Sequence, residues 1–252
     1  MGEASRRATL ERLRAHEPSE HTLIEGMPGH GLVASIAVDQ ITEQLGLEHF
    51  GNIYSRTFPP VVTFEEGIVQ DLVRVYSGDD PPIMTLESDL ALPPQAFEPL
   101  STCVLEELAE HVHRAIFLAG APAESEADLG TVRGIGTTDA MVAELRAADI
   151  PIAEEHGVVG GITGAMVREC YRANVPAMLL VVQAHPHVPD PGAALSVIEH
   201  ALEPLVDFDI DTSDLKERAT EIRQQMHRIA KQYERMEEER QRGEPRAMGM
   251  YQ

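Results

Sequence analysis

Lysine is almost missing from this sequence: it occurs only at Lys216 and Lys231, and acidic residues outnumber basic ones 42 to 20. A chain of formal net charge -22 has little to offset phosphate repulsion, which argues against nucleic acid as a partner. Cysteine is nearly as scarce, with Cys103 and Cys170 far apart and no CxxC spacing. Neither a disulfide framework nor a zinc site is expected, and a reducing cytoplasm fits. No apolar stretch approaches membrane-spanning length, so no membrane partner is expected. Residues 1–14 hold Arg6, Arg7, Arg12 and Arg14 without an apolar core run, so no secretory leader is expected either. No G-x-S-x-G elbow, G-x-G-x-x-G turn or P-loop occurs, and no catalytic constellation stands out, so neither an enzyme nor a cofactor is expected.

Histidines could supply metal ligands, but the pairs here are badly spaced. His111 and His113, like His185 and His187, lie one residue apart. On a helix that spacing puts them about 200° apart, an arrangement that does not converge on one ion. Cys170, within Val167-Arg168-Glu169-Cys170-Tyr171, reads as a buried, inert thiol in a helix.

What the chain does have is charge and core-forming material. Self-repulsion at -22 destabilises a fold in dilute buffer. In about 1 M salt the Debye length falls to roughly 3 Å and that repulsion is screened. Arginine retained while lysine is nearly absent points to a salt-loving host. A hydrophobic content of 43% over 252 residues is enough for a sizeable core without staples.

The hydrophobic pattern alternates between strands and helices. His21 to Glu25 reads as a strand that stops at Gly26-Met27-Pro28-Gly29-His30-Gly31, and Leu32 to Leu45 follows at helical spacing. Val61-Val62-Thr63-Phe64 and Ile68 to Tyr76, separated by Glu65-Glu66-Gly67, read as an inserted hairpin. Then come a strand at Ile83 to Leu86, a helix from Phe97 to His113, a strand at Ala115 to Leu118, helices at Thr138 to Ala148 and Gly160 to Ala173, a strand at Ala177 to Val182 and a helix from Pro191 to Leu205. Short continuous apolar strands between helices predict an α/β domain with a mainly parallel mixed sheet and helices on both faces.

Composition changes after Asp207. From Leu215 to about Gln241 there is no Gly or Pro, and Leu215, Ala219, Ile222, Met226, Ile229, Tyr233 and Met236 alternate steps of four and three. That is the 3.5-residue period of a coiled coil, so one long C-terminal helix is expected, packed either on its own domain or between subunits. Gly243, Pro245 and Gly249 stop it, leaving an exposed tail. The expected organisation is an N-terminal extension over 1–20, an α/β core over 21–208, a heptad helix over 209–241 and a docking tail over 242–252.

The last three residues, Met250-Tyr251-Gln252, combine an apolar side chain, a phenol ring and a terminal carboxylate. They resemble the HbYX motif by which proteasomal activators and assembly factors insert their C-termini between subunits of the proteasome outer ring. Gly26-Met27-Pro28-Gly29-His30-Gly31-Leu32-Val33-Ala34 is similar to the first signature of the archaeal proteasome assembly chaperone family. Gly157-Val158-Val159-Gly160-Gly161-Ile162-Thr163-Gly164 resembles its second glycine-rich element, and His187-Val188-Pro189-Asp190-Pro191-Gly192-Ala193-Ala194 a third. The chain departs from the family at Ala34-Ser35, where a small residue and often glycine follow the valine, and at Met250, which is unbranched but fills irregular apolar pockets well.

The resemblance implies a fold related to nucleoside phosphorylases and hydrolases, and a homo-oligomer docking on outer-ring subunits of the proteasome core particle through Met250, Tyr251 and Gln252. It also leaves open a competing function, a phosphorylase- or hydrolase-like enzyme using the glycine-rich pocket after the first strand. The turn from Gly26 to Gly31 precedes a helix N-terminus, a ready anion site. It lacks the lysine and hydroxyl residue that hold phosphate and metal in a P-loop, and tight helix-on-strand packing is the simpler reason for its glycines.

Overall fold

Strands without polar alternation must be covered on both faces. The computed structural model, which describes residues 7–15, 20–185 and 188–222, covers them in that way. Its centre is four parallel strands in the order β7 (Pro82–Ser88), β2 (His21–Gly26), β8 (Val112–Pro122) and β10 (Ala177–Ala184). Every residue of β2 is buried, the polar His21, Thr22 and Glu25 included. Antiparallel strands flank this block. β6 (Val73–Asp79), β3 (Glu48–Ser55) and β1 (Ala8–Arg12) extend it on one side, and β9 (Val132–Gly136) closes the other. The hairpin expected around Glu65-Glu66-Gly67 is present as β4 (Thr63–Glu65) and β5 (Ile68–Gln70), a separate two-stranded sheet, but its second arm, expected to run from Ile68 to Tyr76, ends at Gln70, and Val73 onward belongs to β6 of the main sheet.

Helices lie on both faces. One core cluster joins α1 (Val33–Gln44), α3 (Asp139–Ala147) and α5 (Pro191–Val197) to the sheet; α5 runs on through a π-helical turn, Ile198–Leu202, into α6 (Glu203–Val206). The other cluster joins α2 (Phe97–Leu108) and α4 (Gly161–Ala173) to the opposite face. Helix starts follow local chemistry. Thr138 accepts a hydrogen bond from the Met141 amide at the start of α3, and Asp190 accepts one from Ala193 at the start of α5, where Pro191 presets the backbone.

Three further boundaries differ from the expectation. The N-terminal extension over 1–20 contains an edge strand of the main sheet, with Ala8 and Leu10 buried against β3. Its period of two spans only five residues, and the arginines around it mask the signal. The helix expected through His113 stops at Leu108, because His111 is buried and Val112 opens β8. β9 was missed, since Val132-Arg133-Gly134-Ile135-Gly136 is broken by two glycines. Those glycines are there for room: a Cβ on Gly134 would lie 2.7 Å from Leu145, and one on Gly136 would lie 2.8 Å from the Val142 amide, both in α3.

Of the heptad helix expected over 209–241, residues 209–222 are described, and only 213–222 are helical. Its first two seam residues, Leu215 and Ala219, are buried on the α/β body, Leu215 within the cluster that holds α1 and α5. Lys216 pairs with Glu199 at 2.8 Å, and Asp211, just before the helix, receives a hydrogen bond from Gln40 of α1 on its carbonyl. Residues 223–241 of the expected helix and the tail over 242–252 lie outside the described residues.

Gly26 sets how closely α1 approaches the sheet. A Cβ there would sit 2.6 Å from Val38 Cβ, closer than packed carbon atoms tolerate. Gly26→Ala is therefore expected to lower stability by about 1–3 kcal/mol through forced displacement of α1. The double variant G26A/V38G, in which the opposing Cβ is gone, should be no less stable than V38G alone. Urea unfolding of the three variants checks both statements.

Candidate functional site

Parallel strands end on a common side of a sheet, and in open α/β sheets that side is where loops gather. Here the three glycine-rich elements meet there. The turn after β2 brings Gly31 into the left-handed region, at φ 63°, where glycine alone is unstrained. The Gly31 carbonyl accepts a hydrogen bond from the Asp190 amide at 2.8 Å, joining the first element to the third. Asp190 in turn accepts from the His185 amide at 2.8 Å and from Ala193 at 3.0 Å, so one carboxylate ties the end of β10 to the start of α5. The second element joins through its helix: the Thr163 hydroxyl in the first turn of α4 donates to Glu25 Oε1 at 2.9 Å. The turn also lies flat on β8, since a Cβ on Gly120 would be 2.1 Å from the His30 carbonyl oxygen.

Glu25 is the residue the sequence reading missed. It is fully buried at the end of β2, and burial pushes its carboxyl up to about 8, with the Thr163 hydroxyl and the backbone of Leu118 and Met27 drawing it part of the way back. At neutral pH it is therefore mostly a neutral acid. Its Oε2 has no hydrogen-bond partner, and the buried His30 Nε2, Ser35 Oγ and Gln183 Oε1 share that condition near the same strand ends. A glutamate closing an otherwise apolar strand directly before a glycine-rich turn was the available signal.

The remaining candidates separate. His113 Nδ1 lies 2.8 and 2.9 Å from the carbonyl oxygens of Glu20 and His21, while His111 packs edge-on to Phe50 at 6.0 Å, so the two do not converge. Among the described residues no cluster of three or more His, Cys, Asp or Glu could hold a metal ion. Cys103 and Cys170 are buried and free, and burial pushes their thiols up to about 12 and about 11 respectively, which keeps both unreactive at neutral pH. His187 and the three residues expected to dock, Met250, Tyr251 and Gln252, lie outside the described residues. Among those described, no helix is long and apolar enough to cross a membrane.

The PAC2 family model matches residues 23–230, a span that takes in all three converging elements. The chain belongs to the PAC2 family. Two uncharacterised proteins of Methanocaldococcus jannaschii are similar along most of it. One is 26% identical over 214 residues, 85% of this chain and 87% of its own, and the other 25% identical over 226 residues, 87% of each. Among solved structures, Pyrococcus furiosus PbaA, described as an archaeal homolog of proteasome-assembly chaperone, superposes with a TM-score of 0.78 at 25% identity, covering 93% of this chain and 97% of that one. Pyrococcus furiosus PbaB, described as an archaeal proteasome activator, reaches a TM-score of 0.80 at 19% identity, covering 89% and 99%. In this PAC2 chain the glycine-rich segments lie at one end of the parallel strands.

Glu25 makes the stability of this PAC2 domain depend on pH. Between the ordinary value of 4.5 and about 8, the folded chain keeps a proton that the unfolded chain has released. Its contribution to stability therefore falls as pH rises through that window and is flat above it. Glu25→Gln should raise stability by roughly 3 to 5 kcal/mol at about pH 9, and by little at about pH 5. Thermal unfolding of both proteins across that range measures the difference.

Proposed function

We propose that this PAC2 protein is a proteasome assembly chaperone or proteasome-binding factor. Its C-terminal Met250, Tyr251 and Gln252 enter pockets on the outer ring of the proteasome core particle. The observation that carries the reading is the likeness to PbaA, which extends over 93% of the chain at 25% identity. The sequence of the tail supports the docking step: Met250 supplies apolar burial, the Tyr251 ring has one greasy and one polar end, and the Gln252 carboxylate is a fixed charge.

Three residues alone recover little of the entropy lost on association. Copies of the chain held together present several tails at once, and linkage of that kind raises apparent affinity by about 10²–10⁴-fold without new contacts. The α/β body thus acts as the gathering platform, and self-association belongs to the function. The net charge of -22 sets the working conditions, since copies repel one another until salt screens them. The site of action is the cytoplasm, where the partner is a soluble particle.

One observation favours a second reading, a nucleoside phosphorylase- or hydrolase-like enzyme: the buried, unpartnered polar atoms of Glu25, His30, Ser35 and Gln183 lie where α/β enzymes bind ligands. A thermal-shift screen with nucleosides, nucleotides and phosphate separates the two, since saturable stabilisation followed by turnover belongs to the enzyme alone.

Removal of Met250 to Gln252 should abolish capture of the proteasome core particle in molar salt and leave the melting temperature unchanged. A truncated chain that still co-purifies with outer-ring subunits under those conditions would refute tail docking.

A further inference from the structure

Exposed apolar side chains are concentrated on the hairpin of β4 and β5. Val61, Val62, Phe64, Ile68 and Val69 are all exposed, with Phe64 at 76%, Val69 at 65% and Val62 at 64%. Successive residues of a strand point to opposite faces, and the register pairs Thr63 with Gln70, Phe64 with Val69 and Glu65 with Ile68. Thr63, Gln70, Glu65 and the exposed Ile68 form one face, whose Thr63 and Gln70 end is half-buried against the body. Arg74 Nη1 reaches Thr63 Oγ1 at 3.4 Å, and Gln70 Nε2 donates to Glu65 at 2.8 Å. Phe64 and Val69, with Val62 one step further along, form the outer face.

Arg74, which reaches Thr63 from β6, is itself anchored. Arg74 donates to both oxygens of Asp89, at 2.5 and 3.0 Å, and to the carbonyl of Asp71 at 2.9 Å. The hairpin joins the end of β3 to the start of β6, and β3 runs in the direction of β7 and β2 because two antiparallel steps separate it from β7. It therefore stands at the same end of the molecule as the glycine-rich loops. The exposed Tyr54, at the end of β3, and Leu90, which follows Asp89, belong to that end too. A contiguous exposed apolar face is a surface for a partner.

Charge identifies the partner. Arg56, at the base of the hairpin, is exposed and has no ion pair among the described residues, while Glu65 and Glu66 form the exposed tip. Two such hairpins laid antiparallel place the tip of each on the base of the other, so an Arg–Glu contact forms twice in a self-complementary arrangement. A wholly basic partner would satisfy Glu66 and repel Arg56. Elsewhere copies of this chain meet acidic surface on acidic surface, because 42 carboxylates face 20 cations. The outer face of the hairpin carries no charge at Val62, Phe64 or Val69 and escapes that repulsion.

We propose that the outer face of the β4–β5 hairpin is a homotypic docking surface. A second copy of the chain lays its own hairpin there, Val62, Phe64 and Val69 meeting their equivalents and Arg56 of each copy facing Glu66 of the other. The proposal deepens the self-association in the proposed function and rests on that part of it.

Sedimentation velocity of the full chain in molar KCl tests the surface. The unaltered chain should associate, and Phe64→Asp with Val69→Asp should weaken association at least tenfold while leaving the melting temperature unchanged, because both side chains are solvent-exposed. Arg56→Glu should weaken association, and adding Glu66→Arg should restore it. An unaltered chain that stays monomeric overturns the proposal. So does a Phe64/Val69 variant that associates as before, or an R56E defect that E66R does not repair. Loss of proteasome capture by the Phe64/Val69 variant with self-association intact assigns the face to the proteasome and overturns it equally. Tail deletion is the separate control. It removes proteasome capture and spares self-association, so failure of the docking reading and failure of the hairpin surface give different results.

Discussion

The close approach of backbone to backbone at the ends of the parallel strands governs the rest of the architecture. The turn after β2 rests on β8 with no space for a side chain at Gly120, and α1 rests on β2 with none at Gly26. Because the turn lies flat, its Gly31 carbonyl can reach Asp190, and Asp190 can hold the end of β10 and the start of α5 together. Any bulk added at those glycines must displace a helix or a loop, and packed interiors absorb such displacement poorly. The glycine-rich sequence signature is thus a packing device first.

Charge is managed in two ways. Arginines near the core are paired: Arg74 with Asp89, and Arg114 with Glu144 and with the carbonyl of Leu205. A guanidinium can satisfy several oxygens at fixed angles while its stem packs on apolar neighbours, which suits a chain with few cations to distribute. Deep carboxylate is handled by protonation at Glu25, and the remaining acidic surface is left to solvent and salt.

The parts of the fold legible in the sequence were those whose burial is uniform or whose turn chemistry is strong. His21 to Glu25 and Ala177 to Val182 could be read because strands covered on both faces leave unbroken apolar runs. The hairpin could be read from Glu65-Glu66-Gly67, where Glu66 and Gly67 both adopt positive φ. β1 and β9 could not, since each is an edge strand of five residues, one set among arginines and the other interrupted by glycines that admit α3. The end of α2 was misplaced because the apolar spacing runs on into β8. At the strand ends, the glycines were legible as three separate segments, whereas their meeting depends on contacts between Gly31 and Asp190 and between Glu25 and Thr163, across 159 and 138 positions. No local pattern encodes separations of that length.

The hairpin has one further consequence. Its apolar side chains belong to neither core cluster, and it is tied to the body by polar contacts at its base. Most substitutions on its outer face therefore leave the folding of the domain untouched. Recognition and folding are encoded in different stretches of the same chain, so the choice of companion can drift, sharpen or be re-engineered without disturbing the scaffold that displays it.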